Sequence, residues 1–170
     1  MYELKENEKT TPVVVYAENM LVYGKIVTKE IVRVSILLRT DSAPNYLHLV
    51  NTQIIQTDSK GKRMSFDEIF FPTKLAIGFH VAPNEEVNLD YDAKEVNRRM
   101  APVRAIMNSF LIDGKLRISS QTEMSASLEV LRTAWLSLYD ATITNTYLPA
   151  MKIETPMLLV RPEKIAFGLS

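Results

Sequence analysis

The two histidines, His48 and His80, are the side chains of this sequence with most capacity for acid–base or metal chemistry. A metal or catalytic site would need carboxylates or further histidines at a suitable spacing. The sequence has no His-x-x-x-His or Asp-x-Asp-x-Asp-Gly pattern. His48 alternates with Leu47 and Leu49, so it is predicted to lie on the opposite face of a strand. We treat His48 as a weak binding candidate, with a surface or interface histidine as the ordinary alternative, and predict no catalytic residue and no metal site.

Four lysines form the second group with chemical potential. Lys25 and Lys115 each follow a glycine, but both lack the upstream glycine and the following Ser or Thr of a phosphate-binding loop. With Lys74 and Lys164 they recur at matching places in a repeat described below. They are therefore candidates for one pseudo-symmetric anion site. The ordinary alternative is that they are solvated lysines that protect strand edges from aggregation.

Aromatic stacking is the third possibility. Trp135 is the only tryptophan, and it occupies the same position in the repeat as Tyr46. Exposed rings at such positions could stack on bases, although most aromatic residues fill a core or its rim. The sequence has no cysteine, which removes disulfides, thiol chemistry and thiolate ligands. We predict no cofactor, and we expect that the protein is not an enzyme.

Composition narrows the class of partner. Twenty basic and twenty acidic residues cancel, so no long-range field draws the chain to nucleic acid or anionic membranes. The charged N-terminus carries no apolar run of the kind found in signal peptides, and no apolar run approaches the roughly 20 residues of a membrane helix. We expect a cytoplasmic protein that contacts a protein partner or itself and no membrane.

An internal repeat is the most specific signal. The segment 46–54 (YLHLVNTQI) and the segment 135–143 (WLSLYDATI) share an alternation typical of a strand, at a shift of 89 positions. At a shift of 90, Pro12 matches Pro102 and Gly24 matches Gly114. The segment 72–79 matches 162–169 at that same shift. The alternative is that two unrelated β-rich segments share a Pro-strand-Gly pattern; a duplication explains the alignment of both ends better.

These matches predict a mainly β fold built as a tandem duplication. We divide the chain into a tail (1–10), a first β-module (11–81), an acidic linker (82–100) and a second β-module (101–170). Each module is predicted to be a five-stranded, small-barrel-like unit with a short helical turn, and the two are expected to be related by an approximate two-fold axis. The turn is predicted at 125–133, whereas its counterpart 32–40 is more β-branched and stays open.

The pattern resembles a bacterial family of small β-modules of unknown function. The resemblance lies in the hairpin around Gly24, the segment Arg33-Val34-Ser35-Ile36-Leu37-Leu38-Arg39-Thr40 and the Tyr-Leu-x-Leu-x-Asn strand that ends at Asn51. It implies no activity and no site residues. There is a looser likeness to SH3-like or Sm-like barrels, in which Gly24 would bend the second strand and Asn51 would follow the third. Sm-like rings bind single-stranded RNA.

Three functions follow, in order of preference. The first is a non-enzymatic binding or scaffolding protein, expected to be an oligomer, that acts through protein–protein contacts. The alternative is a small-ligand or nucleotide-binding protein with a pocket between the two modules. Single-stranded RNA binding is disfavoured, because the chain is neutral and has no basic stripe.

Overall fold

The computed structural model describes residues 2–169. Within them, ten strands and one α-helix alternate with short 3₁₀ helices, and none of the helices has the length and hydropathy that a membrane span requires. The elements are β1 (Glu8–Ala17), β2 (Met20–Lys29), a 3₁₀ helix (Val34–Arg39), β3 (Tyr46–Gln56), β4 (Arg63–Pro72), a 3₁₀ helix (Thr73–Leu75), β5 (Gly78–Val81), β6 (Arg98–Met107), β7 (Phe110–Ser119), α1 (Met124–Glu129), β8 (Leu136–Asn145), β9 (Lys152–Val160), a 3₁₀ helix (Pro162–Lys164) and β10 (Ala166–Gly168).

All the strands belong to one antiparallel sheet with the order β10-β6-β7-β8-β9-β5-β1-β2-β3-β4. Each half of the chain therefore has the same internal order, in which the fifth strand lies beside the first and the fourth is at the far side. The halves are joined where β5 pairs with β9, through Gly78 with Val160 and Phe79 with Leu159. We call this contact the junction.

The mainly β prediction is confirmed, but two finer expectations differ from the structure. The predicted small barrels do not close, because β4 and β10 remain at opposite ends of an open sheet. The predicted two-fold relation is wrong as well. A two-fold axis would make each contact occur twice, whereas a fifth strand pairs with a fourth strand once, in β5 with β9, and β10 does not pair with β4.

The predicted boundaries of the tail and the linker also differ from the strand boundaries in the structure. β1 begins at Glu8, inside the predicted tail, and β6 begins at Arg98, inside the predicted linker. In both cases a charged stretch pairs with the end of the next strand, since Glu8 lies opposite Lys29 and Arg98 opposite Ser119. The predicted helical turn in the second half is α1, and the open segment in the first half is a 3₁₀ helix.

Strand registers repeat between the halves. Pro12 faces Lys25 in the first hairpin, and Pro102 faces Lys115 in the second. The ladder shifts at both glycines of the second strands, between Tyr23 and Lys25 and between Asp113 and Lys115. Opposite these bulges, Asn51 and Asp140 have φ of 50° and 47°, the left-handed region that Asn and Asp enter more easily than other non-glycine residues.

The last strands depart from the predicted alignment. Phe79 pairs with Val15 and Phe167 with Ala105, so β10 corresponds to β5 at a shift of 88 positions instead of 90. The matching prolines and glycines at 72–79 and 162–169 are thus not structurally equivalent. What the strands share is the Ile-x-Phe of 77–79 and 165–167, which keeps the phenylalanine on the core side.

Each half has its own core, and each core takes side chains from the other half. The first core contains Trp135 and Leu159 beside residues of β1–β5. The second contains Val14, Tyr16 and Ile77 beside residues of β6–β9. The rings of Tyr16 and Phe110 meet edge to face with centroids 5.0 Å apart. The junction is therefore a packed interface as well as a strand pair.

Candidate functional site

The surface over β3 and β4 carries the candidate His48. Its imidazole stacks on Phe70, with ring centroids 4.6 Å apart, and Tyr2 meets it edge-on at 4.7 Å. Nε2 of His48 donates to Oε1 of Glu68 at 2.7 Å, since an ionised carboxylate can only accept. Tyr46 lies on the same face and is exposed. We call Tyr46, His48 and Phe70 the aromatic edge, because β4 is the last strand of the sheet.

Alternation explains why these three side chains share one face. Leu47 and Leu49 point into the first core, so the residues between and beside them point outward. His48 lies opposite Phe70 in the ladder, which brings their rings together. The predicted placement of His48 opposite the two leucines agrees with the structure. His48 and its neighbours form a half-exposed aromatic surface, held by the hydrogen bond between His48 and Glu68.

The linker contributes a second candidate, which we call the Asp90 cluster: Arg39, Asp90, Tyr91, Ser137 and Tyr139. Asp90 is nearly buried and accepts hydrogen bonds from the hydroxyls of Ser137 at 2.7 Å and Tyr139 at 2.6 Å. It also forms an ion pair with Arg39, which comes from the other half of the chain. Burial, and then the bond to Asp90, raise the pKa of Tyr139, so its hydroxyl keeps its proton.

A cavity of about 230 Å³ adjoins the Asp90 cluster. Arg98, Arg117 and Trp135 also line it. The guanidinium of Arg117 lies 4.5 Å from the centre of the Tyr91 ring and pairs with Glu95 at 2.8 Å. The polar groups therefore satisfy one another, and the cluster fixes the linker across both halves.

The other histidine, His80, is a buried structural group. Its Nδ1 bonds the carbonyl of Val81 at 2.7 Å and must therefore carry the proton. Nε2 then accepts from the hydroxyl of Tyr16 at 2.9 Å. Burial lowers the pKa of His80 to about 4, so the ring is neutral near pH 7. Its pair with Tyr16 lies beside the junction.

The predicted lysine site is not assembled within one part of the sheet. Lys25 and Lys115 lie on β2 and β7, and four strands separate β2 from β7. Lys115 forms an ion pair with Asp140 at 2.8 Å, which raises the pKa of the lysine. Lys74 and Lys164 are exposed residues of 3₁₀ helices. Lys164 lines a cavity of about 410 Å³ near Ile106.

Trp135 is buried at the junction, which excludes it as an exposed stacking platform. The guanidinium of Arg161 covers its ring at 4.5 Å. Arg161 also donates to the carbonyls of Ala76 at 2.7 Å and Thr73 at 3.1 Å, and so holds the junction from the second half. Among the described residues, no group of three His, Asp or Glu side chains is placed to hold a metal ion.

Sequence reasoning missed Asp90, Arg161 and the two free edges of the sheet. Arg161 left a signal, because the shift between the repeats changes after Val160 and Arg161 falls where the first half has Pro72. Asp90 left none, since it is one acidic residue in an acidic linker. The edges could not be found without knowing which strand ends the sheet.

Comparison with family models, curated proteins and solved structures gives no significant match for this chain. The resemblance to a bacterial family of small β-modules therefore stays a prediction.

Proposed function

We propose that this protein is a non-enzymatic scaffolding protein that acts through protein–protein contacts, with the aromatic edge as a contact surface. The observation that carries the proposal is the exposure of Tyr46 and Phe70 around His48, at the end of an open sheet. Rigid aromatic rings beside a strand with a free edge are suited to binding another chain, since that edge offers backbone hydrogen bonds and the rings offer apolar area.

Photo-crosslinking tests the proposal. A benzophenone amino acid in place of Phe70 keeps an aromatic ring at the surface, and the same group in place of Ile31 is the control, because Ile31 is exposed in a turn away from β4. Illumination in cells is expected to give discrete protein adducts from position 70 and none from position 31. Equal or absent adducts at both positions would contradict the proposal.

We further infer that the two halves arose by duplication of one five-stranded module. The identical strand order, the paired bulges at Gly24 and Gly114 and the left-handed residues Asn51 and Asp140 support it. These features need not recur together in two unrelated meanders. For the scaffolding proposal, the duplication supplies two fourth strands, of which β9 is paired at the junction and β4 has a free edge.

A small-ligand site between the halves is the second candidate, favoured by the cavity beside the Asp90 cluster. Arg98 and Arg117 would face an anionic group there. Thermal-shift screening against phosphate, nucleotides and flavins tests it, because a ligand that binds only the folded state raises the melting temperature. A stabilisation that Arg98→Ala removes supports the site; no stabilisation by any probe at millimolar concentration argues against it.

A further inference from the structure

The exposed apolar side chains at the two free ends of the sheet correspond to side chains that are buried at the junction. On the β4 side, Tyr46 is 56% exposed where its counterpart Trp135 is 4% exposed, and Phe70 is 58% exposed where Leu159 is 1% exposed. On the β10 side, Ile106 is 52% exposed where Tyr16 is 0% exposed. The free ends therefore have the same kind of surface that packs inside the molecule.

The backbones of the two free ends of the sheet match the two strands that pair at the junction. The junction joins β5, the fifth strand of its half, to β9, the fourth strand of its half. The strands that keep one free edge are β4, a fourth strand, and β10, a fifth strand. By the registers, Phe70 and Phe71 of β4 correspond to Leu159 and Val160, and Ala166–Phe167 of β10 corresponds to Gly78–Phe79.

We propose that copies of this chain assemble head to tail, with β4 of one copy paired to β10 of the next in the register of the junction. Phe167 of one copy then lies opposite Phe70 of its neighbour, as Phe79 lies opposite Leu159. Because the contact joins two different edges, it is heterologous and extends to a closed ring or a filament. The proposal rests on the scaffolding function and names its partner as a second copy.

The chain exposes more surface than a compact monomer of its mass. The chain exposes 9958 Å², whereas the scaling for compact monomers of 19.3 kDa gives roughly 8,500 Å². The difference, roughly 1,500 Å², is comparable with a standard protein–protein interface.

One feature makes the proposed contact weaker than the junction. At the junction the backbone N–H of Arg161 donates to the carbonyl of Ile77 at 3.0 Å. Pro72, the last residue of β4, stands at that position and has no N–H. The contact between copies therefore lacks one ladder bond and the arginine side chain, and we expect assembly to be reversible on dilution.

The test uses two charge substitutions, Phe70→Glu on the β4 side and Ile106→Glu on the β10 side. Both side chains are more than half exposed, so the variants should fold. Light scattering after size exclusion is expected to give a multiple of 19.3 kDa for the wild-type chain. Each variant alone is expected to be a monomer, and Ile31→Glu, the exposed control, is expected to assemble like the wild type.

Mixing the two variants gives the sharper result. Phe70→Glu retains an intact β10 end and Ile106→Glu retains an intact β4 end, so the mixture is expected to form a one-to-one complex that grows no further. A monomeric wild-type chain at high micromolar concentration would overturn the proposal, and so would an assembly that Phe70→Glu disrupts and Ile106→Glu leaves intact. Crosslinks from position 70 to another protein, with a monomeric wild-type chain, would overturn self-assembly and leave the scaffolding function standing.

Discussion

The junction and the free β4 edge use equivalent strands of the two halves, yet one is buried and the other is exposed. At the junction Trp135 and Leu159 belong to the core of the neighbouring half. At the free edge Tyr46 and Phe70 hold the same positions with no strand beyond them. The comparison teaches that burial here is decided by the presence of the next strand, and that residue type alone does not reveal it.

Arg161 is the main chemical difference between these two places. Its side chain bonds two carbonyls of the first half and covers Trp135. Pro72, the last residue of β4, offers neither a guanidinium nor an N–H. The junction is thus fixed within the chain, and the free edge is built for a contact that can be released.

The largest expected effect comes from removing the ring of Phe79 at the junction. Phe79 is fully buried, and Phe→Ala in a core costs about 3–5 kcal/mol. Phe70→Ala, on the exposed side of the same comparison, is expected to cost less than about 1 kcal/mol. Urea unfolding of both variants in the Ile106→Glu background, which we expect to be monomeric, measures the difference. Equal losses in the free energy of unfolding would mean that Phe79 contributes no more to stability at the junction than Phe70 does at the surface.

Removing the Arg161 side chain should come next. Arg161→Ala loses two hydrogen bonds to carbonyls and the contact with the Trp135 ring, which together contribute about 2–3 kcal/mol at a half-buried site. Arg132→Ala is the matched control, because Arg132 is exposed and bonds only carbonyls of its own turn. Chemical denaturation reads out both. A loss below about 1 kcal/mol for Arg161→Ala would refute its role in holding the junction.

The strands were predictable from alternation and turn chemistry. The irregularity at Gly24 lies where the local sequence predicts a bend, and the helix Met124–Glu129 overlaps the turn predicted at 125–133. These features depend on neighbours in sequence, so the pattern carries them. The His48 face was predictable for the same reason.

What failed depends on which distant strands meet. The two-fold expectation was wrong because the sequence of Gly78–Val81 does not indicate that this strand pairs with β9 on its other side. The alignment of 72–79 with 162–169 relied on a matching proline and a matching glycine. The strand register displaces this alignment by two positions. Trp135 could not be recognised as buried, since its cover comes from the other half of the chain.

Acid should lower the stability of the chain through His80, which is buried in the first half beside the junction. Burial lowers the pKa of His80 to about 4 from an ordinary 6.5. As the pH falls below 6.5 the unfolded chain takes up the proton first, so stability is lost between pH 6.5 and 4. From pH 7 to 4.5 the loss from this group is roughly 2 kcal/mol. The stability of His80→Gln over the same interval should fall less than that of the wild type; an identical fall would contradict the assignment.

The smallest expected effect compares matching positions below the two bulges. Thr52 is buried with no hydrogen-bond partner for its hydroxyl among the described residues, and its counterpart in the second half is Ala141. Thr52→Val removes the unpaired hydroxyl while keeping the shape, so it should stabilise the chain by about 1 kcal/mol.

Thr155→Val is the control for that change. Thr155 is also buried, but its hydroxyl donates to the carbonyl of Met157 at 3.2 Å. Losing this bond should destabilise the chain by about 1 kcal/mol. Thermal unfolding is therefore expected to move in opposite directions for the two substitutions. If the melting temperatures of both variants shift in the same direction, packing and not hydrogen bonding determines the effect of these substitutions.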